Sequence, residues 1–183
     1  MAANVDSEHV GQWPVVVCVG ALARRRRPYG NTVGKEEAAA MSPWTYDDGG
    51  RKAAGFVGST GDCVCRAIAI ATQRPYREIY DLINEFAASE RRSKRRRGRS
   101  SARTGVFGST QRRVIDRLGF RWVPTMQIGQ GCKVHLRADE LPRGRLIVAV
   151  SRHTTAVIDG VIHDIYDPSR GGTRCVYGYW IAQ

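Results

Sequence analysis

The sequence predicts an α+β domain. Helix-like segments with apolar faces come first, strand-like segments rich in β-branched and aromatic residues follow, and the period changes near Phe120. At 183 residues, with 42% hydrophobic and 25% charged residues, the chain has material for one core and not for two.

Taken in order, residues 1–40 carry no clear helical or alternating pattern beyond Pro14 to Val19 and contain a basic tetrad followed by Pro28-Tyr-Gly-Asn. They read as a poorly structured extension, and the change of character at Met41-Ser-Pro-Trp44 marks Met41 as an alternative start for a domain over 41–183. After a Gly-rich passage from Asp47 to Gly61, the run from Cys63 to Thr72 is small or aliphatic on nearly every side, which suits a buried helix whose amino end falls at Asp62 or Cys63. Pro75 opens a second helix, with Tyr76, Ile79, Tyr80, Ile83 and Phe86 at helical spacing. A short helix is expected around Gln111 to Leu118, stopped at Gly119. Strands are expected over Phe120–Pro124, Arg145–Ser151, His153–Asp159, Val161–Tyr166 and Arg174–Trp180, forming an antiparallel sheet.

The net charge of +12 is concentrated. Arg24 to Arg27 and the stretch Arg91 to Arg103 hold twelve of the 29 basic residues, and the remainder balance the 17 acidic ones. Residues 91–103 therefore read as a solvated basic loop able to contact nucleic acid nonspecifically or an acidic protein surface; no base-reading helix accompanies it. The apolar run Trp13–Ala23 is too short for a membrane span, so no membrane partner is expected. Five scattered cysteines do not suggest a disulfide framework, which favours a cytoplasmic, reducing address. Zinc is disfavoured because the C-x-x-C knuckle is absent, and no cofactor is expected.

Cys63 stands at the first turn of a buried helix, where the peptide dipole favours a thiolate; Asp62 beside it is placed to cap the helix but opposes that effect by its charge. Cys65, two positions on, points away and reads as core. Far along the chain, Asp159-Gly160 forms a two-residue hairpin turn, so that Ile158 pairs with Val161 and His153 with Tyr166. Asp164 then lies diagonal to His153 on one face, whereas Asp167 begins on the other and is turned inward only if the chain bends at Asp167-Pro168. Cys63, His153 and Asp164 or Asp167 supply a nucleophile, a base and an acceptor to orient the base. Cys132 reads as a loop cysteine, and His135 and His163 as surface or strand-edge histidines.

Gly61-Asp62-Cys63 leading into a buried helix, then His153 at a strand start and an aspartate after it, resembles the papain-like cysteine peptidase superfamily. Gly61-Asp-Cys-Val-Cys-Arg66-Ala67 is similar to the cysteine signature of ovarian-tumour-type deubiquitinases, and His153 with Asp167-Pro168 is similar to the end of bacteriocin-processing peptidases. Residues 41–180 look like the small papain-like proteins that bacteriophages and mobile elements encode. The resemblance implies helices carrying the cysteine packed on a sheet carrying His and Asp, and a thiol hydrolase acting on an amide or isopeptide bond of a protein or peptide, or transferring the acyl group. Papain-type enzymes have an oxyanion-hole glutamine where Val57 stands here, so backbone N–H groups at the helix start, with the Ser59 or Thr60 hydroxyl, take that role in this reading. The alternative is an inactive papain-like scaffold that binds a host protein or nucleic acid through its basic loop.

Overall fold

The computed structural model describes residues 43–91 and 98–183. The expected extension 1–40, Met41 itself and residues 92–97 of the basic loop lie outside those residues. Three helices, α1 (Cys63–Thr72), α2 (Tyr76–Ala88) and α3 (Gly108–Arg117), pack against six strands: β1 (Trp44–Tyr46), β2 (Phe120–Pro124), β3 (Arg145–Val150), β4 (His153–Ile158), β5 (Val161–Asp164) and β6 (Val176–Ala182). Strand order across the sheet is β1-β5-β4-β3-β6-β2. All neighbours run antiparallel except β1, which pairs parallel with β5. The sheet is therefore mixed, which corrects the purely antiparallel expectation; β1 is only three residues long and exposed, so it carries no alternation to read.

Nine of the ten α1 residues are buried, as its all-round small and aliphatic character requires. On α2, Tyr76, Ile79, Ile83 and Ala87 form the buried face, with Pro75 at the N-cap, where its missing N–H costs no helical bond. Ile147, Ala156 and Trp180 of the sheet join α1 to α3 in one core. Leu146, Val148, Val157 and Ile162 line the opposite face, where Leu136 and Leu141 of the long β2–β3 connection cover them. Both faces of the central strands β3 and β4 are thus buried.

The Asp159-Gly160 turn has the expected register, with Ile158 opposite Val161 and Ala156 opposite His163. Both turn residues have positive φ, 49° and 87°, the conformation that Asp-Gly adopts readily in tight hairpins. Strand β5 ends at Asp164, so the expected His153–Tyr166 pairing is not reached as a ladder. At the described end of the basic stretch Arg99 and Arg103 are exposed, while the residues between them are anchored: Ala102 is fully buried, its N–H donating to Asn84 Oδ1 (3.1 Å), and the Ser100 N–H donates to Glu90 (2.9 Å).

Candidate active site

Alternation along β4 and β5 predicts that His153 and Asp164 share a face. The structure brings them together: His153 Nε2 lies 2.6 Å from Asp164 Oδ2, with both residues buried. The other oxygen, Oδ1, accepts the Ile165 N–H at 2.8 Å and lies 3.5 Å from an Arg66 guanidinium nitrogen. Burial alone would push the Asp164 carboxyl up; the His153 hydrogen bond and charge, Arg66 and the Ile165 N–H outweigh it and hold the group below its ordinary value. With Nε2–H donated to this carboxylate, the neutral ring carries its lone pair on Nδ1, which is 3.3 Å from the Tyr166 hydroxyl.

Arg66 links this pair to α1. It is buried and pairs with Asp62 as well as Asp164. Burial disfavours its charge, but the two carboxylates raise its pKa despite that, with Cys63 acting in the same direction. Cys63 is three residues earlier on the helix, hence on the same side. Ala69 and Ile70, near the carboxyl end of α1, share a cleft with Ile158 and His163 at the hairpin end of the sheet. Following α1 back from there, Arg66 reaches Asp164, and Cys63 lies one helical turn before Arg66, at the first position of α1.

Asp62 occupies the N-cap position of α1, yet its side chain makes no cap bond. It instead receives the Tyr76 hydroxyl (2.6 Å), Arg51 Nε (2.9 Å) and Arg66. This differs from the capping role expected from sequence. Two guanidinium groups compensate the negative charge that would otherwise oppose a Cys63 thiolate. Arg51 also donates to the carbonyls of Val57 (3.1 Å) and Gly58, fixing the loop before the helix. Val57 itself is exposed. Thr60 Oγ1 is shielded from solvent with no hydrogen-bond partner among the described residues, a donor held close to the start of α1. Neither the Arg66 bridge nor the Arg51 clamp was read from sequence; the Asp62-x-x-x-Arg66 spacing was the only signal present.

The other residues singled out from sequence are placed differently. Asp167 is half-buried, and its Oδ1 accepts the Ser169 N–H at 2.8 Å, capping its own turn. Cys65 is fully buried, which pushes its thiol far above the ordinary value. His163 faces Asp47 (3.2 Å), and His135 faces Glu140 (3.1 Å). Cys132, expected to be an unpaired loop cysteine, is bonded to Cys175, so the cysteine pattern does contain a bridge. Cys63 and Cys65 are the cysteines not joined in a disulfide among the described residues. No helix among those residues is long and apolar enough to cross a membrane.

No protein-family model matches the chain, and comparison with curated proteins and with solved structures gives no match.

Proposed function

We propose that the protein is a cysteine-dependent hydrolase of amide or isopeptide bonds, with Cys63 as nucleophile, His153 as general base and Asp164 as the residue that orients the base. The observation that carries this reading is the buried His153–Asp164 pair, joined through Arg66 to the helix that begins at Cys63. A buried imidazole fixed at Nε2 by a carboxylate is the arrangement that prepares Nδ1 to accept a thiol proton. In this mechanism the Cys63 proton passes to His153 Nδ1 and the sulfur attacks the carbonyl carbon. The oxyanion is met by N–H groups at the start of α1 and by the Thr60 hydroxyl. The imidazolium then protonates the leaving amine, and water, deprotonated by the same nitrogen, cleaves the thioester. Asp164 serves as the third member in preference to Asp167, whose carboxylate is engaged by Ser169.

Alkylation by iodoacetamide across pH, in wild type and His153→Ala, tests this. Cys65 is fully buried with its thiol pushed far above the ordinary value and Cys132 is bonded to Cys175, so among the described residues labelling reports on Cys63, which is 3% exposed; peptide mapping separates it from Cys18. An ordinary thiol of pKa about 8.5 is roughly 0.3% ionised at pH 6, so an activated Cys63 should react on the order of 100-fold faster there, and the substitution should remove that advantage. Equal, slow alkylation of both proteins would leave an inert scaffold instead.

A further inference from the structure

Away from this site, the β2–β3 connection returns to β6 and pairs with the residues just before it. His135 stands opposite Cys175 in an antiparallel bridge, flanked by Leu136 N–H to Arg174 O and Val176 N–H to Val134 O, each 2.8 Å. Cys132 is three residues before His135, and its Cα is 5.7 Å from that of Cys175. One donor atom from each of Cys132, His135 and Cys175 lies within 4.8 Å of the other two, and all three residues are partly buried. A tetrahedral zinc centre with Zn–S of about 2.3 Å and Zn–N of about 2.1 Å needs donors about 3.5–3.8 Å apart, so small side-chain rotations suffice once the sulfurs are not bonded to each other.

We propose that Cys132, His135 and Cys175 form a zinc site when the two cysteines are reduced, and that the disulfide is the metal-free state of the same site. The fourth position falls to water, since three protein donors are supplied. Thiolate and imidazole donors select zinc over the hard cations magnesium and calcium. What distinguishes the cluster from two cysteines that happen to be bonded is the support around the histidine. Glu140 accepts the His135 backbone N–H through Oε2 at 2.6 Å and sits 3.1 Å and 3.3 Å from His135 Nδ1 through its two oxygens. A carboxylate on Nδ1 fixes the tautomer and directs Nε2 to the metal, the usual arrangement behind a ligating histidine. Arg137 lies 3.6 Å from Glu140 and holds that carboxylate in place.

Opening the bridge takes two electrons and two protons, supplied by two equivalents of a small thiol that depart as their own disulfide; zinc binding then releases the two cysteine protons. Both states clip the connection carrying Leu136 and Leu141 onto β6, so this cover over the second core is retained in oxidising and in reducing, zinc-containing surroundings. The site stands independently of any role for Cys63.

The test uses the full chain, reduced with a phosphine, freed of reductant without air, and titrated with cobalt(II) as a spectroscopic probe before displacement by zinc. A single cobalt ion per chain with tetrahedral ligand-field bands and a thiolate charge-transfer band is expected in the reduced protein and not in the oxidised one. Cys63→Ser should leave these bands unchanged. His135→Ala, a partly exposed position that keeps both cysteines, should weaken zinc binding at least tenfold, and Glu140→Gln should weaken it by about 10-fold to 100-fold. Absence of tetrahedral bands in the reduced chain, or bands that persist unchanged in His135→Ala and in Cys175→Ser, would overturn the proposal.

Discussion

Replacing Arg66 by Met keeps much of the side chain's apolar bulk but removes a charge that touches both Asp62 and Asp164. Removing one partner of a buried ion pair costs about 3–5 kcal/mol, because a carboxylate is left without compensation. Here each carboxylate keeps other partners: Asp62 has Arg51 Nε and the Tyr76 hydroxyl, and Asp164 has His153 and the Ile165 N–H. The cost therefore falls near the lower end, about 3 kcal/mol, which for a domain of this size lowers Tm by about 6–12 °C. The acid response changes as well. Asp164 is held below its ordinary value, so its contribution to stability is complete above an unfolded-state pKa of about 3.9 and is lost as pH falls through the lower folded-state value. Without Arg66 the folded value moves up toward the unfolded one, and less stability remains to be lost on acidification. Urea unfolding of wild type and Arg66→Met at neutral pH and at steps down to pH 3 measures both effects. Adding Asp62→Asn to Arg66→Met should recover part of the loss, because a neutral amide tolerates burial better than an unpaired charge. Stability of Arg66→Met within about 1 kcal/mol of wild type, with an unchanged acid profile, would refute this account of the network.

Three further outcomes are expected. Asp164→Asn should bring Cys63 alkylation at pH 6 close to the rate of an ordinary thiol, whereas Asp167→Asn should leave that rate unchanged and cost only about 1 kcal/mol in urea unfolding for the lost turn contact. Thr60→Val should raise stability by about 1 kcal/mol, because it removes a buried hydroxyl without a partner, while slowing acyl transfer if a substrate is supplied; a fall in stability would assign the hydroxyl a structural role. Gly178→Ala should destabilise by about 1–3 kcal/mol, read as a lower urea midpoint: a methyl there overlaps the Trp122 ring and comes within 2.7 Å of Val123 O, and the backbone of β2 cannot yield as a surface side chain would.

What could be read from the residues was local. The start of α1 at Cys63 follows from the junction of a Gly-rich passage with an unbroken small and aliphatic run, and the β4–β5 register follows from Asp-Gly, which fixes pairing by turn geometry alone. That register favoured Asp164 while leaving Asp167 open, and the structure shows a 2.6 Å contact between His153 and Asp164. What could not be read was long-range. Asp62 looked like a cap because the residue type suits one; its burial among Arg51, Arg66 and Tyr76 depends on how α1, α2 and the preceding loop meet. Strand β1 owes its place to β5, more than a hundred residues away, and not to any pattern within its own three residues. The Cys132–Cys175 bridge was missed for the same reason: cysteine count says nothing about which loops a sheet brings together.

The position of β6 inside the sheet bears on the order in which the protein can assemble. Strand β2 is followed directly by no partner; its neighbour is β6, with Phe120 opposite Ala182, and β6 also closes the free side of β3. The hairpin of β4 and β5 can form as soon as it is made, since its contacts are close in sequence, but β2 keeps an unpaired edge until residues 176–182 insert beside it. Closing so long a loop costs entropy before any contact repays it, which makes this docking the natural slow step. During synthesis the edges of β2 and β3 therefore stay open until the last strand is released, and a chain shortened before β6 would display two adhesive edges in place of a finished sheet.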